Sequence, residues 1–275
     1  MEITQGSIIT GVRSAQYQGE SCCAVVITAR CDLANCKIDK VYYLIALPID
    51  DWFFSETGSS VLLHSYKLNL VNRIKEIIER YGLDWEVLQS FSEEEFCKVV
   101  RDTEINISKA EIEKSIKFYK EYQECKIENT TVEYRKALLK KVKKQIKGVL
   151  TEIVLGSNTR FTFVPQSAYG EKDKTKGLII DNRDLNYFLV PTLEDVVSCQ
   201  VDSQNIRLTE EKREYYNKIF CLSDGQGFAL VDTEITSPWI EYVLQRFSNL
   251  FTRIGVDGPD KEQDIPQMFE RIIGD

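Results

Sequence analysis

The pattern of hydrophobic and polar positions changes period twice along the chain. In residues 1–63 the apolar runs are short, β-branched and aromatic: GSIITGVRSA, CCAVVITARC and KVYYLIALPI, separated by QYQGES and DLANCKID, whose Gly, Asn and Asp favour turns. Such strands at such spacing predict part of a small antiparallel barrel or sandwich. From about Val61 to Leu150 the period becomes helical. Leu68, Val71, Ile74, Ile77 and Ile78 fall on one face of a helix that Gly82 ends. Ser92 before Glu93 to Glu95, and the capping box of Ser108 and Glu111, start further helices. A last helix over Val132 to Val149 carries Leu139, Val142, Ile146 and Val149 as its stripe.

Strand-like sequence then returns in TEIVLG, TRFTFVP, KGLIIDNRD and LNYFLVP. The chain closes on an amphipathic helix, with Ser237 as cap, Pro238 at the first helical position, and Ile240, Val243, Leu244, Phe247, Leu250, Phe251 and Ile254 at helical spacing up to Gly255. The expected fold class is α+β. Its core is a small antiparallel β-barrel-like sheet formed by the N-terminal and central strands, with an inserted helical region and a C-terminal amphipathic helix. The expected divisions are 1–63, 64–150 and 151–275, with two separate domains as the alternative to one shared sheet.

Composition narrows the classes of function. The 275 residues are 43% hydrophobic and 28% charged, an ordinary balance for a core-forming chain. The longest apolar runs fall short of the ~18–20 residues of a membrane span, and MEITQGSIIT lacks the basic and apolar regions of a secretory leader. A cytoplasmic protein without membrane contact is expected. The formal charge of −8 argues against a surface that coats nucleic acid, yet residues 64–150 hold 18 Lys and Arg against 15 Asp and Glu. Any polyanion contact is expected there. Tyr134 to Lys147 contains seven basic residues and no acidic one, and on a single helix Lys136, Lys140, Lys143, Lys144 and Lys147 share a face suited to phosphates. The alternative for that face is simple solvation.

The chain has eight cysteines and one histidine, His64, and contains neither a CxxC pair nor an HExxH motif. Reduced thiols are expected in preference to a metal site, and no cofactor is expected. No nucleophile signature surrounds His64, and P-loop and dinucleotide fingerprints are missing, so no residue is assigned a catalytic role. The most distinctive local chemistry is Cys31-Asp32 at the end of a hydrophobic strand, with Lys37 beyond the turn. Arg160 and Asp181, at the ends of returning strands, are the expected remaining walls of a ligand pocket there. Ile240, Val243, Phe247 and Phe251 are the apolar residues that either close on the core or meet a partner subunit.

Two resemblances bear on function. Gly6-Ser7-Ile8-Ile9, then AVVITARCD, then a strand ending LIALPID resemble the small barrel of the PemK/MazF toxin class. That resemblance implies RNA cleavage by a basic residue and a small hydroxylated residue near the corresponding loop and strand end. Here the loop is QGESCCAVV, without Arg-Pro, and Asp50 stands where a Thr is wanted. VITARCDLANCK, RFTFVP, GLIIDNRDL and SPWIEYVLQRFSNLFTRIG are similar in order and type to a group of uncharacterised bacterial proteins associated with mobile or defence-related loci. With catalytic signatures missing and amphipathic helices of large apolar face present, the expected function is a non-catalytic regulatory or adaptor subunit of a bacterial, antiviral-type system, with another protein subunit as partner. A nucleic-acid binder or degenerate toxin-type ribonuclease is the alternative, and a small-ligand sensor the second.

Overall fold

The computed structural model describes residues 3–35, 40–102, 108–126, 128, 130–170, 172–189, 201–202, 205–207, 228–250 and 264–274. The fold is α+β and resolves into two compact units, one of Met1–Thr57 with Leu150–Asp275 and one of Gly58–Val149.

The first unit is built on an antiparallel half-barrel sheet. Its strands are β1 (Ser7–Val12), β2 (Cys22–Val26), β3 (Lys40–Pro48), β4 (Phe161–Pro165), β5 (Gly177–Leu189) and β8 (Phe228–Glu234), extended at one edge by the short β6 (Val201–Asp202) and β7 (Asn205–Arg207). The order β4-β5-β3-β2-β1-β8-β7-β6 puts the N-terminal meander in the middle, with strands from the later part of the chain on both sides. Ile8, Val25, Leu44, Ala46, Leu178 and Ile180 line one core face, and Ile240 and Val243 of helix α9 (Trp239–Ser248) pack into it. These apolar side chains supply most of the driving force for closing the sheet, at ~25 cal/mol per Å² buried.

One segment expected to be strand is helical, and two expected strands hold but give way to helices at their ends. KVYYLIALPI runs on into α2 (Ile49–Phe54), because Pro48 occupies the N-cap, Asp50 and Asp51 sit in the first turn, and Ile49, Trp52 and Phe53 share a buried face at helical spacing. Helix α3 (Glu56–Ile78) follows after Ser55, well before the expected start near Val61. TEIVLG belongs to α8 (Lys143–Leu155), where Ile146, Val149, Leu150, Ile153 and Val154 are all buried, a helical spacing that overrides the β-preference of the branched residues. Cys31, expected at a strand end, lies on the short helix α1 (Arg30–Ala34). The ladder stops because the Thr28 hydroxyl accepts from the Tyr42 N–H at 2.7 Å, which puts a side chain where the next strand pair would be. KGLIIDNRD and LNYFLVP, expected as two strands, form the single strand β5.

Helix α10 (Ile265–Ile273) was not foreseen. Asp264 caps it by accepting from Gln267 N at 2.9 Å, and Ile265, Met268, Phe269, Ile272 and Ile273 form its buried face. Asp50, which replaces the hydroxyl residue of the toxin pattern, accepts two hydrogen bonds of 2.7 Å from Arg271 of this helix.

The second unit is helical, with α4 (Trp85–Leu88), α5 (Glu93–Asp102), α6 (Lys109–Glu124) and α7 (Val132–Lys141) beside most of α3. Ile74, Ile78, Trp85, Leu88, Phe96, Val100 and Tyr119 form its core, and the Phe96 and Tyr119 rings stack at 3.8 Å. Gly82, at φ 74°, ends the α3 segment as expected, whereas Leu68, expected on the apolar face, is 50% exposed.

Candidate functional site

The densest polar cluster of the first unit grows out of an irregularity in β5. Leu44 pairs with Leu185 but Ala46 pairs with Ile180, so two steps along β3 are matched by five along β5. Residues 181–184 bulge out of the ladder, and a bulge re-aims side chains that regular alternation would send elsewhere. Here it directs Asp181, Asn182 and Asp184 to polar partners.

Asp181, 1% exposed, is the centre. Its Oδ2 accepts from the Tyr17 hydroxyl at 2.9 Å and from Arg160 Nη2 at 2.7 Å, and its Oδ1 accepts from the Arg183 backbone N–H at 3.0 Å. Arg160 Nε adds a fork to both oxygens, at 3.3 and 3.1 Å. Arg160 Nη2 also donates to Gln16 Oε1 at 2.8 Å, and its guanidinium lies 4.8 Å over the Phe161 ring. Beside this, Thr162 and Asn182 bond side chain to side chain, and the Ser14 hydroxyl donates to Asp184 Oδ2 at 2.5 Å. The indole N–H of fully buried Trp52 makes no hydrogen bond of good geometry.

The electrostatics follow from burial. Tyr17 is held far above the ordinary phenol range, first by desolvation and then by the charge and hydrogen bond of Asp181. For Arg160 burial opposes the charge, but the hydrogen bond and charge of Asp181 outweigh it and the pKa rises. Cys22, at the start of β2, is pushed up to about 12 by burial, with smaller contributions from Cys23, Asp184 and Glu20. The acceptor positions of Asp181 are filled by four donor groups. A carboxylate so engaged ties the β1–β2 loop to β4 and β5.

The expected pocket therefore divides. Arg160 and Asp181 come together, although Asp181 sits inside β5 and not at its end. Cys31 and Asp32 lie on α1, which follows β2, whereas Tyr17 of the cluster lies in the loop that precedes β2. Both are exposed, with Cys31 Sγ 3.7 Å from Asp32 Oδ1, and neighbouring Arg30 bonds Glu234 at 2.7 Å. Lys37 lies outside the described residues. His64 is exposed on α3.

The expected basic helix is two helices, because the chain breaks at Val142, where φ is −105° and ψ is 19°. Lys136 and Lys140 lie on α7, and Lys143, Lys144 and Lys147 on α8. Lys136, Lys140, Lys144 and Lys147 are exposed and Lys143 is half-buried, so the single shared face is replaced by two shorter ones. Ile240 and Val243, at 2% and 0% exposure, are spent in the sheet core and leave no surface for a partner. Phe247 packs half-buried against the same core, and Phe251 lies outside the described residues. Ser237 makes no capping hydrogen bond, since Pro238 itself occupies the N-cap.

Sequence reasoning missed Ser14, Gln16 and Tyr17, which SAQYQGES presents only as a turn, and it missed the exposed rings of Tyr42 and Tyr187. Each of those rings adjoins a second aromatic, Tyr43 or Phe188, that is buried, and in VYYL or NYFL nothing local says which of the two faces water. Compared with known proteins, the chain matches no family model, no curated protein and no solved structure.

Proposed function

We propose that this chain is a non-catalytic regulatory or adaptor subunit of a bacterial system of the antiviral-defence type, and that it works through protein–protein contacts. The observation that carries this reading is the engagement of Asp181 by donors of the chain itself. The most elaborate polar cluster of the sheet unit is closed on itself, with an arginine, a neutral tyrosine and a backbone N–H filling the carboxylate. An acid–base site needs a group with a free proton position within reach of substrate. A cluster of this kind instead holds a loop rigid against two strands, as a recognition scaffold requires.

The test is to purify the tagged full-length chain from its native host and, separately, to incubate it with mixed-sequence RNA. A partner co-purifying in fixed stoichiometry, with the RNA intact, is the expected result. A chain that elutes alone and cleaves RNA, with cleavage abolished by Asp32→Ala, overturns the reading.

A further inference from the structure

On β3 and β5 the core face of the sheet continues past the region that α9 covers. Leu44 is fully buried in the cluster that holds Ile240 and Val243, but Tyr42, two residues earlier on the same face, is 41% exposed. Tyr42 pairs in register with Tyr187, which is 47% exposed, and the rings stand 6.0 Å apart. Lys40 Nζ lies 4.4 Å over the Tyr187 ring, on the same face. Leu185, 42% exposed and paired with Leu44, extends the patch along β5, and Arg183, also exposed, lies in the adjoining bulge. The intervening Asp184 and Asn186 bond each other, and Asp184 bonds Ser14, so the acidic group is engaged elsewhere. Among the described residues, the patch thus joins two exposed aromatic rings to the Lys40 cation.

We propose that this face, centred on Tyr42 and Tyr187 with Lys40, binds single-stranded nucleic acid, a property beyond the adaptor role. Bases stack on aromatic rings whatever their sequence, and cations beside the rings take the phosphates. The charge pattern favours this occupant over a protein. Protein interfaces are depleted of lysine at their centres, and this lysine lies on a central ring. Size agrees, because two rings and a leucine, each less than half exposed, present a few hundred Å² against the ~800 Å² per partner of a stable protein interface. The strand pair also supports both rings on rigid backbone, which limits the ordering cost of binding.

The experiment is fluorescence anisotropy of the full chain with a labelled oligothymidylate of about 12 nucleotides at low salt, repeated with a duplex of the same length. Tyr42→Ala and Tyr187→Ala should each weaken binding of the single strand roughly ten-fold, and the Phe variants should stay within about two-fold of the parent. Lys40→Glu should weaken binding and flatten its salt dependence. Because these side chains are surface groups, circular dichroism of the variants should match the parent. The proposal is overturned if the oligonucleotide does not bind, if the double alanine variant binds like the parent, or if binding is lost only on Lys140→Glu, Lys143→Glu and Lys144→Glu. It is equally overturned if the alanine variants lose a co-purified protein but keep the oligonucleotide.

Discussion

The Tyr17 hydroxyl donates to Asp181 Oδ2 at 2.9 Å across 164 residues of sequence, and both side chains are buried. With Arg160 on the other flank of the same oxygen, this contact closes the loop between β1 and β2 onto strands from the later part of the chain. Removing Asp181 takes the acceptor from the buried Tyr17 hydroxyl and the ion-pair partner from Arg160, which is 28% exposed and keeps Gln16, and breaking an ion pair with a buried member costs up to about 3–5 kcal/mol. Asp181→Ala is expected to lower stability by that order in a urea titration, and Tyr17→Phe by about 1.5–3 kcal/mol, the usual worth of a hydrogen bond to a charged group. Native stability in Asp181→Ala would show that the cluster does not hold the loop.

Glycine substitutions should act in opposite senses at two sites. A Cβ on Gly177 would stand 2.4 Å from the Val164 carbonyl oxygen and 2.5 Å from the Phe163 ring, both packed in the sheet. Gly177→Ala should therefore destabilise by about 1–3 kcal/mol through overpacking. A Cβ on Gly148, inside α8, meets nothing within 4 Å, so Gly148→Ala should stabilise by about 1 kcal/mol through helix propensity. Thermal melts of the two variants would check both signs.

Helix α10 is core and not a tail. Phe269 is 1% exposed and meets Phe53 edge to face at 6.2 Å. Phe269→Ala should cost about 3–5 kcal/mol in chemical denaturation. A variant as stable as the parent would mean that α10 contributes little to the sheet unit.

The thiols should be resolved by burial. Desolvation pushes Cys22 up to about 12, and Cys23 and Cys125 up to about 11, whereas Cys31 is exposed. Among these four, iodoacetamide at pH 8 is expected to label Cys31 first, with the other three reacting on unfolding, as read by peptide mass spectrometry. The folded-state values lie above the ordinary thiol value of 9.0, so the stability from these thiols is complete below pH 9 and lost as pH rises through 11 to 12. Alkaline melts should show that loss and should soften with Cys22→Ser.

Acid should weaken the helical unit through its capping boxes. Glu95 is held below its ordinary value by the backbone and side-chain hydrogen bonds of Ser92, and Glu111 by those of Tyr81 and Ser108. A depressed folded-state pKa gives stability that is present above 4.5 and lost as pH falls through the folded value. Melts between pH 7 and 3 should show a decline below about 4.5 that is smaller in Ser92→Ala and Ser108→Ala. An equal decline in those variants would place the acid-sensitive groups elsewhere.

What the sequence by itself determined was the α+β class, most of the elements and several of their ends, since these depend on neighbours a few residues apart. Capping at Ser92 and Ser108, the stop at Gly82 and the buried stripe of Ile240 and Val243 all follow from spacing along one element. Arg160 and Asp181 could be named from their place beside the returning strands, but not their closure on Tyr17, which needs a strand with extra residues and a loop 164 residues away. Whether Ile49 to Phe54 and residues 151–155 became strand or helix was also decided outside the local pattern, because β-branched and aromatic runs suit either state until a core takes one face. Tyr42 shares a face with buried Leu44 yet is 41% exposed, whereas Tyr43, on the opposite face, is buried beside Phe188. Burial depends on what packs against a face from distant parts of the chain, and alternation along a strand records only that the two faces differ.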